Sequence, residues 1–216
     1  MLQAIARRRT DRRRLSSWPV PPERLTALAM TGNQWGVQVL PVLEEGAKAR
    51  LDRLTSRAGE LQRSDPDYLV ELTASTTYWD DHGVPVTHIP KAAGAGGGSS
   101  AGERRFPHGV LDDPVLTETS SDGMLLITSS SDDAMSRVRA GEALSAIWLE
   151  ATKGNLSVVP LSQALEVDET RKALQDDVLD DLAVAQLILR VGWLPMGLRE
   201  LTPTPRRTVD DVRVRA

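Results

Sequence analysis

The chain has 216 residues, 40% of them apolar and 26% charged, with a formal net charge of −4; that is enough for one substantial domain and marginal for two. It has no cysteine and only His82, His88 and His108 as histidines, which excludes disulfides, thiolate nucleophiles and zinc–thiolate sites and argues against a histidine-rich metal centre. The mild acidity gives no steering toward nucleic acid, no apolar run reaches the roughly 18 residues of a membrane span, and no apolar signal core follows the N-terminal charges, so a cytoplasmic location is expected.

In chain order, residues 2–9 read as a short helix that becomes basic at its C-terminal end. Trp18-Pro19-Val20-Pro21-Pro22 is an extended connector, and Pro22 opens a helix through Met30 that Gly32-Asn33 ends. Val37, Val39 and Leu40 suggest a strand closed by Pro41. From Glu44 to Arg63, Leu51, Leu54, Ala58 and Leu61 recur at helical spacing. Asp65 or Asp67 can cap the next helix, with Leu69, Val70 and Leu72. Residues 76–122 show little periodicity, and a Gly/Ala/Ser-rich tract at 91–105 within them reads as a mobile loop. Irregular stretches of this length are often lids or binding loops.

Met124 to Thr128 is an unbroken apolar run and reads as a buried central strand. Ser131-Asp132 caps a long helix to about Lys153, with Ala134, Val138, Leu144, Ile147, Trp148 and Ala151 on one side and Gly154-Asn155 as its stop. Val158, Val159 and Pro160 form a short extended piece. A helix occupies roughly 168–180, Ala183 to Val191 is a second central strand, and the tail from Leu201 is extended and polar. Helices alternating with a few strands predict a single α+β domain over 1–216, its sheet covered by helices on both faces.

Two basic clusters stand out. Arg7, Arg8, Arg9, Arg12, Arg13 and Arg14 crowd one stretch, and Arg8-Arg9-Thr10-Asp11-Arg12 combines guanidinium forks with a hydroxyl near a helix end, as phosphate binding requires. In Thr204-Pro205-Arg206-Arg207-Thr208 the prolines stiffen a segment carrying two more arginines. Taken singly, each cluster reads first as a solvated basic face or arm. No catalytic acid, base or nucleophile stands out, and no metal site.

The two clusters together resemble the nitroreductase-like flavoproteins, which open on a helix ending in an Arg-x-Ser-x-basic motif and close on a basic pair in an extended tail. Here Arg8, Arg9, Thr10 and Arg12 match the first, with Thr for Ser, and Arg206-Arg207 the second. The Acg-type subgroup is similar over more of the chain: Thr76-Thr77-Tyr78-Trp79 with Gly83-Val84-Pro85, Ala140 to Leu144, Ala151-Thr152-Lys153-Gly154 leading to Val159-Pro160-Leu161-Ser162-Gln163, and Leu189-Arg190-Val191-Gly192. The chain corresponds to the second half of such a two-repeat protein. Asn33-Gln34-Trp35 faintly echoes an Asn-x-Gln-Pro-Trp segment of the first.

The resemblance implies a nitroreductase-like α+β fold with a mixed sheet between helices. It implies flavin mononucleotide (FMN) held non-covalently, with its phosphate between the two basic clusters and its ring bordered by Val159, Pro160, Leu161, Ser162 and Gln163. Three functions follow as alternatives: an FMN-dependent oxidoreductase taking hydride from NAD(P)H to nitro or quinone-type acceptors, a protein that holds FMN under a lid at about 76–122 with little turnover, or a half-protein without cofactor. Because half of a two-fold unit exposes a face that is normally covered, a homodimer is expected.

Overall fold

The computed structural model of the protein describes residues 1–77, 84–91, 104, 106, 108–113, 121–204 and 208–213. The elements in order are α1 (Leu2–Arg7), α2 (Pro22–Asn33), β1 (Gln38–Val42), α3 (Glu45–Arg63), α4 (Pro66–Ala74), β2 (Thr76–Thr77), β3 (Val84–Pro85), β4 (Gly123–Ser129), α5 (Ala134–Lys153), β5 (Ser157–Leu161), α6 (Gln163–Glu166), α7 (Asp168–Leu179), β6 (Val184–Gly192) and α8 (Val209–Val212). The main sheet has the order β1-β4-β6-β5, antiparallel at every step. Among the described residues, parallel pairing is limited to the short β2–β3 pair and the isolated Pro90–Leu111 bridge.

Strand chemistry explains the order. All seven residues of β4 are buried, so it needs neighbours and cover on both sides, and it lies between β1 and β6. Proline cannot donate to a ladder and is tolerated at sheet edges; Pro41 and Pro160 occupy the two edge strands, β1 and β5. Side chains alternate across the pleat. Val39, Leu125, Ile127, Val158, Leu189 and Val191 therefore pack on α2 and α5, with Leu28, Ile147 and Trp148. On the other face Met124, Leu126, Leu161 and Ile188 pack on α3, α6 and α7 through Leu51, Ala164 and Leu174. Each fully buried side chain of this size contributes roughly 1.5–3 kcal/mol.

Several boundaries differ from expectation for local reasons. The long helix is capped by Asp133, whose carboxylate accepts the Ser136 N–H at 2.7 Å. Asp132 instead takes Arg137 at 2.9 Å and Arg171 at 2.7 Å. Val138 is exposed, because the buried stripe of α5 runs through Ser136, Ala140, Ala143, Ile147 and Ala151, and Val138 lies on the far side. The second helix continues through Gly32, where a Cβ would lie 2.7 Å from both Ile147 and Val39; the missing side chain lets α2 approach the sheet. The tail contains α8, held by a capping box between Thr208 and Asp211. Most of the expected loop at 91–105 and much of the expected lid lie outside the described residues. Among the described residues no helix is long and apolar enough to cross a membrane.

One charged group interrupts the second core. Arg190 on β6 is 2% exposed and donates from Nε to Asp122 at 2.5 Å; Lys48 Nζ lies 3.7 Å from the same carboxylate. Asp52 on α3 belongs to this group. Burial raises its pKa and the Asp122 charge adds to the rise, against Lys48 and Arg190. The folded state therefore binds a proton at Asp52 more tightly than the unfolded chain, whose carboxylate titrates near pH ~3.9. Stability is lost as pH rises from that value through the folded pKa, and the loss is complete above it. Asp52→Asn should melt higher than the parent at pH 7, with the gain vanishing below about pH 4. A lower melting temperature at pH 7, followed by circular dichroism, is the contrary result.

Candidate functional site

The basic stretch after α1 leaves the helix at Arg8 (φ −56°, ψ 124°) and carries its arginines to different surroundings. Arg8 lies over the Trp148 ring, 4.6 Å from its centroid. Arg12 enters a cavity of about 220 Å³ that it shares with Arg104, Phe106 and the whole of Val159, Pro160, Leu161, Ser162 and Gln163. Arg9, Asp11 and Arg13 face another cavity, of about 280 Å³, with Ser157 and Arg199.

The two sides differ chemically. Asp11 and Arg13 are both 4% exposed and form a closed pair: Asp11 accepts from the Arg13 backbone N–H at 3.1 Å and from its guanidinium at 2.9 and 2.5 Å. Arg13 also donates to the Arg199 carbonyl at 3.0 Å, and its bonds to Asp11 raise its pKa. Arg9 donates to the carbonyls of Ala6 and Arg8 at 2.6 and 2.9 Å, satisfying the C-terminal end of α1. These odd-numbered residues fasten the segment. Arg12 is under strain of charge instead. Burial lowers its pKa and Arg104 lowers it further, with Asp11 opposing. The same field reaches His88, lowered first by its own burial and then by Arg12 and Arg9; its Nε2 lies 3.2 Å from Thr202 Oγ1. Two guanidiniums on one small cavity are a site that welcomes an anion.

The opposite wall is the end of β5 and the turn into α6. Val159 and Leu161 supply apolar surface, and Phe106 stands 5.3 Å from the Arg12 guanidinium. Gln163 is 4% exposed, and its Oε1 is buried without a hydrogen-bond partner. Glu166, one turn on, accepts from Ser162 Oγ and Gln62 Nε2 at 2.6 Å and from Arg104 at 2.6 and 2.5 Å. Burial alone would raise its carboxyl, but the bonds from Ser162, Arg104 and Gln62 and the charge of Arg104 hold it below the usual range.

Of the residues singled out from sequence, Arg12 and Val159 to Gln163 therefore meet. Arg8 lies over Trp148 of α5 and lines neither cavity, Arg9 lines the other one, and Thr10 lines neither. Arg206 and Arg207 lie outside the described residues. Asn33 accepts the Val39 N–H at 2.7 Å, tying α2 to β1. Arg104, Phe106, Gln62 and Glu166 carried no periodic or spacing signal. The nearest hint was Gly59, an isolated glycine inside a helix, where a Cβ would stand 3.2 Å from Gln163 Nε2.

No family model matches the chain. It is 35% identical over 212 residues to a Mycobacterium tuberculosis protein whose name assigns it provisionally to the NAD(P)H nitroreductases, covering 97% of this chain and 60% of that protein. It is 32% identical over 89 residues to another protein of that organism bearing the same provisional name with the designation Acg. The chain thus spans about 60% of the length of the first of these curated relatives. Among solved structures, a Bacteroides fragilis nitroreductase with bound FMN superposes with a TM-score of 0.59 at 12% identity, covering 100% of this chain and 98% of that one. Iodotyrosine deiodinase bound to FMN and 3-iodo-L-tyrosine superposes with a TM-score of 0.58 at 17% identity, covering 99% and 97%.

Proposed function

We propose that this chain, a member of the nitroreductase-like family by sequence and fold, binds FMN between Arg12 and Val159–Gln163 and uses it to carry hydride from NAD(P)H to nitro or quinone-type acceptors. The observation that carries this reading is the convergence of Arg12, from the N-terminal basic motif, with the β5–α6 turn on one cavity. The residues present fit the group. Arg12 offers a fork for phosphate, and Val159, Leu161 and Phe106 offer apolar surface for a ring. FMN, when bound, supplies the hydride chemistry, which explains a site without an obvious acid, base or nucleophile. The chain's own part is to bind, orient and exclude water.

The cavity, about 220 Å³, is smaller than the roughly 300–1,000 Å³ usual for cofactors, so this surface holds part of FMN and a second surface completes it. Arg8, Arg9, Thr10, Arg206 and Arg207 remain in the proposed phosphate group, Arg9 chiefly by holding the segment that carries Arg12 through the Ala6 and Arg8 carbonyls. A second copy of the chain is the proposed complement. Met135 and Val138, 58% and 57% exposed on the outer side of α5, are apolar surface for it. A strictly monomeric FMN-loaded protein in sedimentation would remove the dimer from this account.

The test is optical. The purified protein should show a flavin absorption band that unfolding releases, and NADPH or NADH should bleach it. A protein that neither carries nor takes up FMN overturns the proposal. A flavin that binds but resists both nucleotides supports the shielded reading instead. One contact favours that alternative: Arg104, from the 76–122 segment, grips Glu166 with both carboxylate oxygens at the cavity's edge.

A further inference from the structure

We infer that the other cavity, of about 280 Å³ and bordered by Arg9 and Arg13, is a binding site for a short aliphatic carboxylate, separate from the FMN cavity. Among the described residues the two cavities share no lining. Ser157, at the start of β5, belongs to this one, and Val159 to Gln163, at and beyond the far end of the strand, belong to the FMN cavity. The inference therefore stands apart from the flavin reading.

The charge is what a small anion needs. Arg7, Arg9, Arg13 and Arg199 line the cavity against Asp11 and Glu200. A purely structural set of ions closes on itself, as Arg13 does on Asp11 with bonds at 2.9 and 2.5 Å. The others do not close. Among the described residues the Arg199 side chain has no hydrogen bond or ion pair, and only its carbonyl is engaged, by Arg13. Arg7 makes one bond, to Asn155 Oδ1 at 2.8 Å, fewer than its donors allow. Arg7 and Arg199 are both exposed, so a ligand reaches them from solvent. The C-terminal end of α5, at Thr152, borders the same cavity and draws on part of this charge. What remains suits one carboxylate, which a guanidinium fork meets with two parallel bonds, rather than a polyphosphate.

The rest of the lining sets the body of the ligand. Leu156, Leu194, Leu198 and Leu201 line the cavity with Pro195 and, among the described residues, no aromatic ring. That surface fits an alkyl chain and offers a flat ring nothing to stack on. The volume, about 280 Å³, is just under the roughly 300 Å³ at which cofactor-sized sites begin, so the chain is short. The walls are held before any ligand arrives. Arg13 ties the 194–201 segment to the N-terminal stretch through the Arg199 carbonyl at 3.0 Å. Asn155, in the left-handed region at φ 57°, sets its Oδ1 against Arg7, a conformation that asparagine tolerates.

The experiment is calorimetric titration of hexanoate, hexanamide and acetate into the full chain, with and without added FMN. The parent should bind hexanoate at least about tenfold more tightly than hexanamide, which lacks the charge, and than acetate, which lacks the chain. Arg199→Ala and Arg7→Ala should each weaken hexanoate by about tenfold, while Arg12→Ala, in the FMN cavity, should leave it unchanged. Equal affinities for hexanoate and hexanamide, or for hexanoate and acetate, would overturn the ligand class. Hexanoate binding lost in Arg12→Ala and kept in Arg199→Ala, or displaced by FMN, would place the acid in the flavin cavity and overturn the separate site. No hexanoate binding by the parent overturns the inference outright, whether or not the chain takes up FMN. The parent comparison needs no variant, so a misfolded substitution leaves the answer intact.

Discussion

Arg12→Ala is expected to weaken FMN binding by about ten- to a hundredfold, because a charge-assisted hydrogen bond contributes about 1.5–3 kcal/mol and each 1.4 kcal/mol is tenfold. Arg12 is the arginine of the N-terminal motif that lines the cavity with the β5–α6 turn. The expectation is sharpened by its charge state: burial and Arg104 already press on its pKa from the same side, and an arriving anion relieves both. Arg12→Lys should restore only part of the affinity, since an ammonium keeps the charge and loses the planar fork. Arg9→Ala is the contrast. Its guanidinium bonds the Ala6 and Arg8 carbonyls, so its replacement should lower the melting temperature while changing FMN affinity less than threefold. Fluorescence titration of FMN decides between them. Equal affinities for the parent and Arg12→Ala would move the phosphate out of this cavity.

The split between Arg9 and Arg12 marks where sequence reading stops. The motif was visible as residue types at fixed spacing, but spacing alone does not say which of its arginines meets which cavity. That the helix ends at Arg7 rather than at Arg9 became evident only from the structure. The central strands were legible for a stronger reason. Met124 to Thr128 is apolar without alternation, as a strand covered on both faces must be, and β4 is buried throughout. The α3 stripe was equally plain at Leu51 and Ala58, both 0% exposed. Gln62 was not, because a buried glutamine among the charges of an amphipathic helix has the same local pattern as an exposed one. Its burial depends on Gln163 and Glu166, a hundred residues away along the chain. The four-residue α6 is shorter than two helical turns and leaves no period to detect. Arg104 and Phe106 follow a Gly/Ser-rich tract whose composition says nothing about where its flanks dock.

The second large effect is expected at Arg190. Arg190→Leu removes the guanidinium bonded to Asp122 at 2.5 Å and leaves a carboxylate 8% exposed in a closely packed face, with Lys48 only 3.7 Å away as partial compensation. Breaking a buried pair from one side costs about 3–5 kcal/mol, because the remaining charge has lost its guanidinium without regaining water. The double variant Arg190→Leu with Asp122→Leu should recover most of that loss, since replacing a buried pair with apolar residues is often neutral. Urea unfolding at pH 7 measures both, and a double variant less stable than the single would show that the cost is packing rather than stranded charge. The consequence for function comes from register. Arg190 stands directly opposite Val159 in the β5–β6 pair, and β5 is an edge strand with β6 as its neighbour in the sheet. Loosening Arg190 should therefore speed amide hydrogen exchange across Ser157 to Leu161 before it affects β1. FMN affinity should fall in the single variant and return in the double, which ties the wall of the cavity to the charge pair beneath it.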